Sequence, residues 1–580
     1  MRLSLLAANA RFVHSSPSLF YLRAALERHL PACQITLRQL TINDPYYDAL
    51  LAVLADEPEA VLVSAYVWSD AMLRRLLVDL RQARPELPLV AGGPQAPHLQ
   101  LPPEVAVSVV EGPVEGVGPD FYRDLAAGHL QPHYQAESGA TFAMPYRAAD
   151  FSAGLAHRQL YYESSRGCPF ACSYCLSAAR PGVELLPLDQ VKGELTELLA
   201  HEPPIIRFVD RTFNSPPERA LALWRWLAAQ PGATRCHFEI APELFTAEQL
   251  DFLATVPAGR FQFEIGLQSF HPEALAAVNR RPDLPRAVAN IRRLRAAGNI
   301  HLHLDLILGL PFETAASYHE GLNKILALRP HQLQLGLLKV LPDTPLAARR
   351  EEFALRHCRQ PPYQVLANRW LKQPELAALY RLGEVIEAFY NPRFFRTTLA
   401  WLLARQADPA AFFARLAELC RQRDFFSRAR TQQWLSELLL AALVEDAATW
   451  PAAEDPGLGR ELLLFDWLAC GYRRLPAHLL PPERVPAGSE PAAVEQLAAA
   501  WLKEAKDRLW RQLPADLPPH YDPQSRSAFF KRTVFAPFSA ASLRAAGLEA
   551  GGGEAVVAFV ESPADTFDLR RTAVVLPIVQ

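Results

Sequence analysis

The chain lacks any long apolar run, any excess charge of one sign and, over most of its length, any clustered cysteine. None of its 580 residues lies in a stretch approaching the ~18 consecutive apolar positions of a membrane helix, so no membrane is expected as partner. Residues 1–14 hold one short apolar run, residues 3–8, and no small-residue cleavage site. They read as a first strand and not as a signal peptide. The expected location is therefore cytoplasmic, where thiols stay reduced. Lys plus Arg number 59 and Asp plus Glu 62, a net charge of −3, which gives no clear nucleic-acid signal. Only seven of the basic residues are Lys, beside 50 Pro; this skew reads as genome composition and carries no function. Half the residues are hydrophobic and 21% are charged, which excludes a disordered chain. At roughly 150 residues per domain the length predicts several domains.

What is present is a βα rhythm. Residues 2–7, 60–66, 88–91 and 105–110 read as strands with helical pattern between them, and small residues follow the strands. Continuous apolar strands alternating with helices predict a parallel sheet covered on both faces, with ligands outside the strand carboxyl ends. This first α/β domain is expected over residues 1–130 and a linker over 131–157. A second series, 158–348, has strand candidates at 161–165, 205–210, 236–241, 261–268, 301–308 and 333–340. Six such units predict a partial (β/α)6 TIM barrel, or a complete one, with its site at the strand C-termini. From 349 to 580 the pattern is mainly α-helical, with helices expected at 375–391, 409–421, 431–447 and 491–513. A terminal strand pair, 555–560 and 572–578, is expected across a loop at 551–553. The fold class is thus α/β multidomain.

Of eight cysteines, three are clustered, in Cys168-Pro169-Phe170-Ala171-Cys172-Ser173-Tyr174-Cys175. Three thiolates on one tight loop can anchor a 4Fe-4S cluster and leave its fourth iron open to a small molecule. Two alternatives stand beside that reading: a structural zinc site, which wants four ligands, and a chance grouping of buried thiols. Cys358, Cys420 and Cys470 lie far apart in helical context and read as buried thiols.

Cys168, Cys172 and Cys175, with Tyr174 before the last, resemble the signature of the radical S-adenosylmethionine (SAM) superfamily. The resemblance implies an enzyme in which the three cysteines hold a 4Fe-4S cluster. Reductive cleavage of SAM there yields a 5′-deoxyadenosyl radical, and an electron donor such as a flavodoxin or ferredoxin supplies the electron. It implies SAM contacts from Tyr174, from Asp210 in place of the usual Gly-Gly-Glu, from Glu239, from Gln268 and Ser269, and from Ile307 and Gly309. Taken singly, each acid could instead be a cap or a surface group.

The first domain resembles the cobalamin-binding domain of the cobalamin-dependent branch, through Ser64, Tyr66 and Trp68, then Gly92-Gly93-Pro94, then Glu111-Gly112. That implies a flavodoxin-like fold holding cobalamin. Small residues after the strands let the backbone approach a corrin ring. His14 sits on the loop where such proteins often carry a cobalt ligand, but Phe12 and Pro17 occupy the other motif places. Neither can hydrogen-bond an imidazole, so the cobalt is expected to meet water or an apolar side chain. The methylthiotransferase branch, whose N-terminal domain holds a second cluster on three cysteines, is excluded because that domain has only Cys33. The expected reaction is modification, first of all methylation, of an unreactive carbon in an unknown small-molecule or peptide substrate. The alternatives are a rearrangement or oxidation without cobalamin, and a cobalamin- or SAM-responsive binding protein without turnover.

Overall fold

The computed structural model describes the chain except for residues 138, 140, 180–181, 446–455, 481–491, 494–501, 513–525, 550–552, 562–570 and 578–580. The N-terminal strands are β1 (Arg2–Asn9), β2 (Gln34–Thr41), β3 (Ala60–Ser64), β4 (Leu89–Gly92), β5 (Ser108–Glu111) and β6 (His133–Gln135). They form one parallel sheet in the order β2-β1-β3-β4-β5-β6. β1 and β3 are buried almost throughout, as strands covered on both faces must be. Helix α1 (Pro17–His29) and the helix Pro119–Ala127 pack on one face, and Tyr46–Leu54 and Asp70–Ala83 on the other. The chain reverses direction across the sheet between β1 and β3, which opens a crevice at their carboxyl ends.

The sequence pattern does not predict β2 or β6. Both are sheet edges: β2 interleaves polar residues and is half exposed, and β6 is three residues long. β6 also lies inside the stretch that reads as a linker, so the first sheet runs on to Gln135.

The second sheet is parallel as well. Its strands are β7 (Leu160–Tyr162), β10 (Ile205–Phe208), β11 (Arg235–Ile240), β12 (Phe261–Gln268), β13 (His301–Leu308) and β14 (Gln332–Leu337), paired in that order. β7 and β14 do not pair, so the sheet is open. Along β11, β12 and β13 one set of alternate residues is apolar and buried under the helices, for example Phe238, Phe263 and Leu304. The other set is polar: His237, Glu239, Glu264, His303 and Asp305. A filled barrel interior would be branched and apolar, so this face is built for ligands.

Between β7 and β10 the chain makes a short antiparallel hairpin, β8 (Ser165–Cys168) with β9 (Gly182–Leu185). Gly167 sits at φ +91, and a Cβ there would come within 2.2 Å of the Gly182 carbonyl oxygen, so only glycine fits.

After the barrel come helices at Gln373–Tyr390, Arg396–Leu403, Pro409–Gln422, Gln432–Glu445 and Pro456–Ala469. The terminal strands Ala555–Val560 and Thr572–Pro577 are joined by a third, Val534–Phe538. That strand contains Pro537, which argues against a strand in sequence and is tolerated because it lies at the edge. The helix expected at 491–513 is present only at Leu502–Gln512; Ala492–Ala493 instead pair as a short antiparallel strand with Arg474–Leu475, while residues 491 and 494–501, and most of the 551–553 loop, lie outside the described residues. Among the described residues no helix is long and apolar enough to cross a membrane.

Candidate functional site

The cysteine loop is closed by one bond of its own and anchored from two other segments. The Cys175 amide donates to the Cys172 carbonyl, the Ser173 amide to the Val278 carbonyl, and the Leu346 amide to the Ser173 carbonyl. Asn279 Nδ2 also donates to the Ala171 carbonyl. These partners follow β12 and β14, so the loop is held over the carboxyl ends of the strands. There it lines a cavity of about 270 Å³ with Cys168, Cys172, Cys175 and Tyr174 on one side. Glu239, Glu264, Gln268 and Asp305 line the other. A register shift between Gly266 and Gln268 accompanies the turn of Gln268 into this space.

Charge in this cavity is organised around the thiols and the acids. Arg280 Nη1 lies 3.7 Å from Cys172 Sγ, and Thr212 Oγ1 lies 3.4 Å from Cys168 Sγ. Burial pushes the Glu239 carboxyl up to about 7, with Arg211 opposing and Glu264 adding to the shift. Burial also raises Asp305 well above the usual carboxylate range, helped by Glu264 and Glu239. Burial works against ionised Glu264 too, but His237, His303 and Arg207 outweigh it and hold that group down to about 2. The wall thus carries more carboxylates than it can ionise alone, and a cationic ligand would relieve it. Arg280 beside a thiol suits an anionic thiolate cluster. Among the described residues no three His, Cys, Asp or Glu side chains converge as a single ion requires. A four-iron cluster sets its three anchors farther apart than one ion does. The donor set therefore fits a 4Fe-4S cluster with SAM beside it.

A second cavity, of about 660 Å³, opens between the two sheets. Its N-terminal wall is the crevice at β1, β3, β4 and β5, with His14, Ser64, Tyr66, Trp68, Gly92, Gly93, Pro94 and Gly112. Tyr66 and Trp68 are stacked, their ring centroids 4.5 Å apart. Gly93 has φ +94, and a Cβ there would meet the Ala65 carbonyl oxygen at 2.7 Å. A flat aromatic pair beside close backbone fits a corrin ring. The barrel wall supplies Tyr161, Glu163, Arg166, Arg207 and His237. Two residues, Arg211 and Glu239, line both cavities. His14 Nδ1 is hydrogen-bonded to Tyr161 Oη at 2.6 Å, so a phenol from the barrel fixes this ring. Burial, then Arg207 and Arg11, lower its pKa, which leaves a neutral imidazole.

Five residues expected at the sites are not among the lining residues of either cavity. Asp210 is buried behind the cysteine hairpin, where its carboxylate accepts from the Ser164 amide, Ser164 Oγ and Ser165 Oγ at 3.0, 2.5 and 2.7 Å. It organises the chain before the loop. Ser269 is buried and donates to Glu313 Oε1 at 2.5 Å. Ile307 packs against the hydrophobic core. Gly309, at φ +94, gives its carbonyl to Asn368 Nδ2 at 3.0 Å. Glu111 ends β5 and turns toward the edge strand β6, with Oε1 2.8 Å from His133 Nε2. Residues that sequence reasoning misses include Arg211, Thr212 and Arg280. Arg280 follows a short helix in a segment without any motif, and nothing in the sequence marks it. Glu264 and Asp305 are visible as the polar alternates of apolar strands.

The model of the radical SAM superfamily matches residues 162–325. These residues are a radical SAM domain. Residues 351–541, beyond it, match a protein family of unknown function, DUF4080. The chain is 26% identical over 350 residues to the cobalamin-dependent radical SAM methyltransferase TokK of Streptomyces tokunonensis, covering 52% of this chain and 50% of that protein. It thus spans about half the length of the curated relatives it matches. Among solved structures, the radical SAM methyltransferase TsrM from Kitasatospora setae, with cobalamin and a 4Fe-4S cluster bound, superposes with a TM-score of 0.52 at 17% identity, over 73% of this chain and 99% of TsrM. The cobalamin-dependent radical SAM enzyme OxsB gives 0.55 at 12% identity, over 80% and 79%. At these identities the likeness is one of fold.

Proposed function

We propose that the chain is a cobalamin-dependent radical SAM enzyme that methylates an unreactive carbon of a small-molecule or peptide substrate. Cys168, Cys172 and Cys175 hold the cluster, SAM lies in the smaller cavity, and the flavodoxin-like N-terminal domain holds cobalamin in the larger one. The carrying observation is that the two cavities share a wall, Arg211 and Glu239, so that groups in them face one another across the barrel mouth. When bound, the cluster and SAM supply a 5′-deoxyadenosyl radical, and cobalamin supplies a transferable methyl group. The protein's own residues bind, orient and shield. Arg280 steadies the Cys172 thiolate. Glu239 and Asp305 present carboxylates to the cationic end of SAM. Tyr66 and Trp68 floor the larger cavity, and Gly92 and Gly93 admit the ring edge. Names of relatives support this reading, TokK being a methyltransferase.

The test is anaerobic reconstitution with iron, sulfide and hydroxocobalamin, then reduction by flavodoxin with SAM labelled at its methyl group. The expected result is about four irons per chain, one corrinoid, label on the corrinoid, and 5′-deoxyadenosine. Retained zinc without iron would sink the reading. Cleavage of SAM without corrinoid uptake would leave a radical enzyme without cobalamin. Binding of both without either product would leave a sensor.

A further inference from the structure

Arg166 lies two residues before the first cluster cysteine, on β8, and there the cysteine hairpin grips the N-terminal domain through charge. Its Nη2 is 2.8 Å from Glu115 Oε1, in the short turn Val114–Gly116 after β5, and 2.8 Å from Glu163 Oε2, just past β7. Its Nε is 3.2 Å from the same Glu163 oxygen. The guanidinium lies over the Phe142 ring at 4.1 Å and the Tyr21 ring of α1 at 5.2 Å. All three ionic side chains are largely buried, at 18, 13 and 22% exposure. One side chain therefore ties together four segments: α1, the turn after β5, the connection between the domains, and the end of the first barrel strand. Tyr21, Glu115, Glu163 and Arg166 also form part of the wall of the larger cavity.

We infer that Arg166 is a positioning residue that latches the cysteine hairpin to the N-terminal domain, so that occupancy of the larger cavity is transmitted to the cluster loop. Two features favour a rigid link. The hairpin cannot slip, because Gly167 is pressed on the Gly182 carbonyl and admits no other residue. The guanidinium donates to two carboxylates from different domains, and a buried pair missing one partner leaves an uncompensated charge. A ligand that moves the turn at Glu115 must therefore move Arg166, and with it Cys168. Lys could keep the charge and reach both carboxylates with one nitrogen, but it lacks the Nε that gives Glu163 its second bond and the flat guanidinium that lies over the Phe142 ring. The transmission step rests on the proposed reading of the larger cavity; the latch itself does not.

The experiment compares the full-length chain with Glu115→Gln, Arg166→Met and Arg166→Lys. In the unloaded protein, hydrogen exchange in peptides covering residues 160–170 should quicken about tenfold or more in Glu115→Gln and Arg166→Met, and less in Arg166→Lys. In the reconstituted protein, hydroxocobalamin should shift the paramagnetic resonance spectrum of the reduced cluster in the wild type and not in Glu115→Gln, at equal iron content. SAM cleavage should fall about tenfold to a hundredfold in Glu115→Gln, the order of loss expected when a reacting group is misplaced by about 1 Å. Wild-type exchange in Glu115→Gln overturns the latch. A spectrum that ignores bound corrinoid in the wild type overturns the transmission. Should Glu115→Gln fail to fold, Arg166→Lys decides by the same two readouts. No corrinoid uptake by the wild type would sink the reading of the cavity, and the exchange arm would still decide the latch.

Discussion

The two cavities are built from opposite materials. The smaller one is made of side chains that carry charge or bond metals: three thiols, Arg280, Glu239, Glu264 and Asp305. The larger one, on its N-terminal side, is made mostly of small residues, stacked rings and exposed backbone at the ends of strands. A site of the first kind selects by electrostatics and ligation, and it fails when one functional group is removed. A site of the second kind selects by shape, and it fails when an atom is added. The difference predicts that each cavity can be disabled without emptying the other.

The largest effect is expected at the cysteines. Replacing Cys168, Cys172 and Cys175 by Ala should remove all cluster iron and abolish 5′-deoxyadenosine formation, while corrinoid uptake measured by absorbance stays within about twofold. Those thiols touch only the smaller cavity. If corrinoid binding disappears with the iron, the two cavities are one folding unit and the contrast between them is wrong. The converse experiment is Gly93→Ala. The added methyl would need to occupy a space 2.7 Å from the Ala65 carbonyl oxygen at a φ of +94, which is strained for any L side chain. A strain of about 1–3 kcal/mol paired with a lost close approach predicts corrinoid affinity lower by about tenfold to a hundredfold. Iron content should not change.

The same contrast explains which parts of the fold and of the two sites are legible in the amino-acid sequence. The cysteine spacing is legible because ligation chemistry demands particular residue types at short separations. The polar faces of β11, β12 and β13 are legible as alternation, since every second residue of a strand shares a face. Asp210 misleads because an acid just past a strand end looks the same whether it faces a ligand or, as here, the Ser164 and Ser165 donors of the neighbouring chain segment. Register alone does not separate the two. Arg280 and Arg166 act through contacts more than 50 residues away in sequence, to Cys172 and Glu115, and no local pattern encodes such pairs. The edge strands β2 and β6 leave no clear apolar run because an edge buries too little. His14 is legible as a candidate, but its partner Tyr161 comes from the other domain. Phe12 and Pro17 cannot hydrogen-bond this imidazole, as their side chains dictate, and the phenol that does is out of reach of any local pattern.

Glu239 sharpens the comparison because it belongs to both walls. Its side chain is one-third exposed and its carboxyl is pushed up to about 7, first by burial. An acid whose pKa is raised on folding favours the folded chain below its unfolded value near 4.5 and loses that contribution as the pH climbs through 7. In the ligand-free protein this is worth on the order of 2 kcal/mol once solvent screening is allowed for. A cation beside the carboxylate reverses the burden, since it binds the ionised form. SAM affinity, measured by calorimetry without reductant, should therefore rise from about pH 6 to about pH 7.5, approaching tenfold per unit at the acid end, and level off above. Glu239→Gln should flatten this profile, bind SAM about tenfold more weakly at about pH 8, keep its iron, and melt at a temperature less dependent on pH than the wild type. A profile that keeps its slope in Glu239→Gln would move the titrating group to Asp305, the other acid raised by burial in this wall. SAM would then be held through β13, inside the smaller cavity, and not through the wall that the two cavities share.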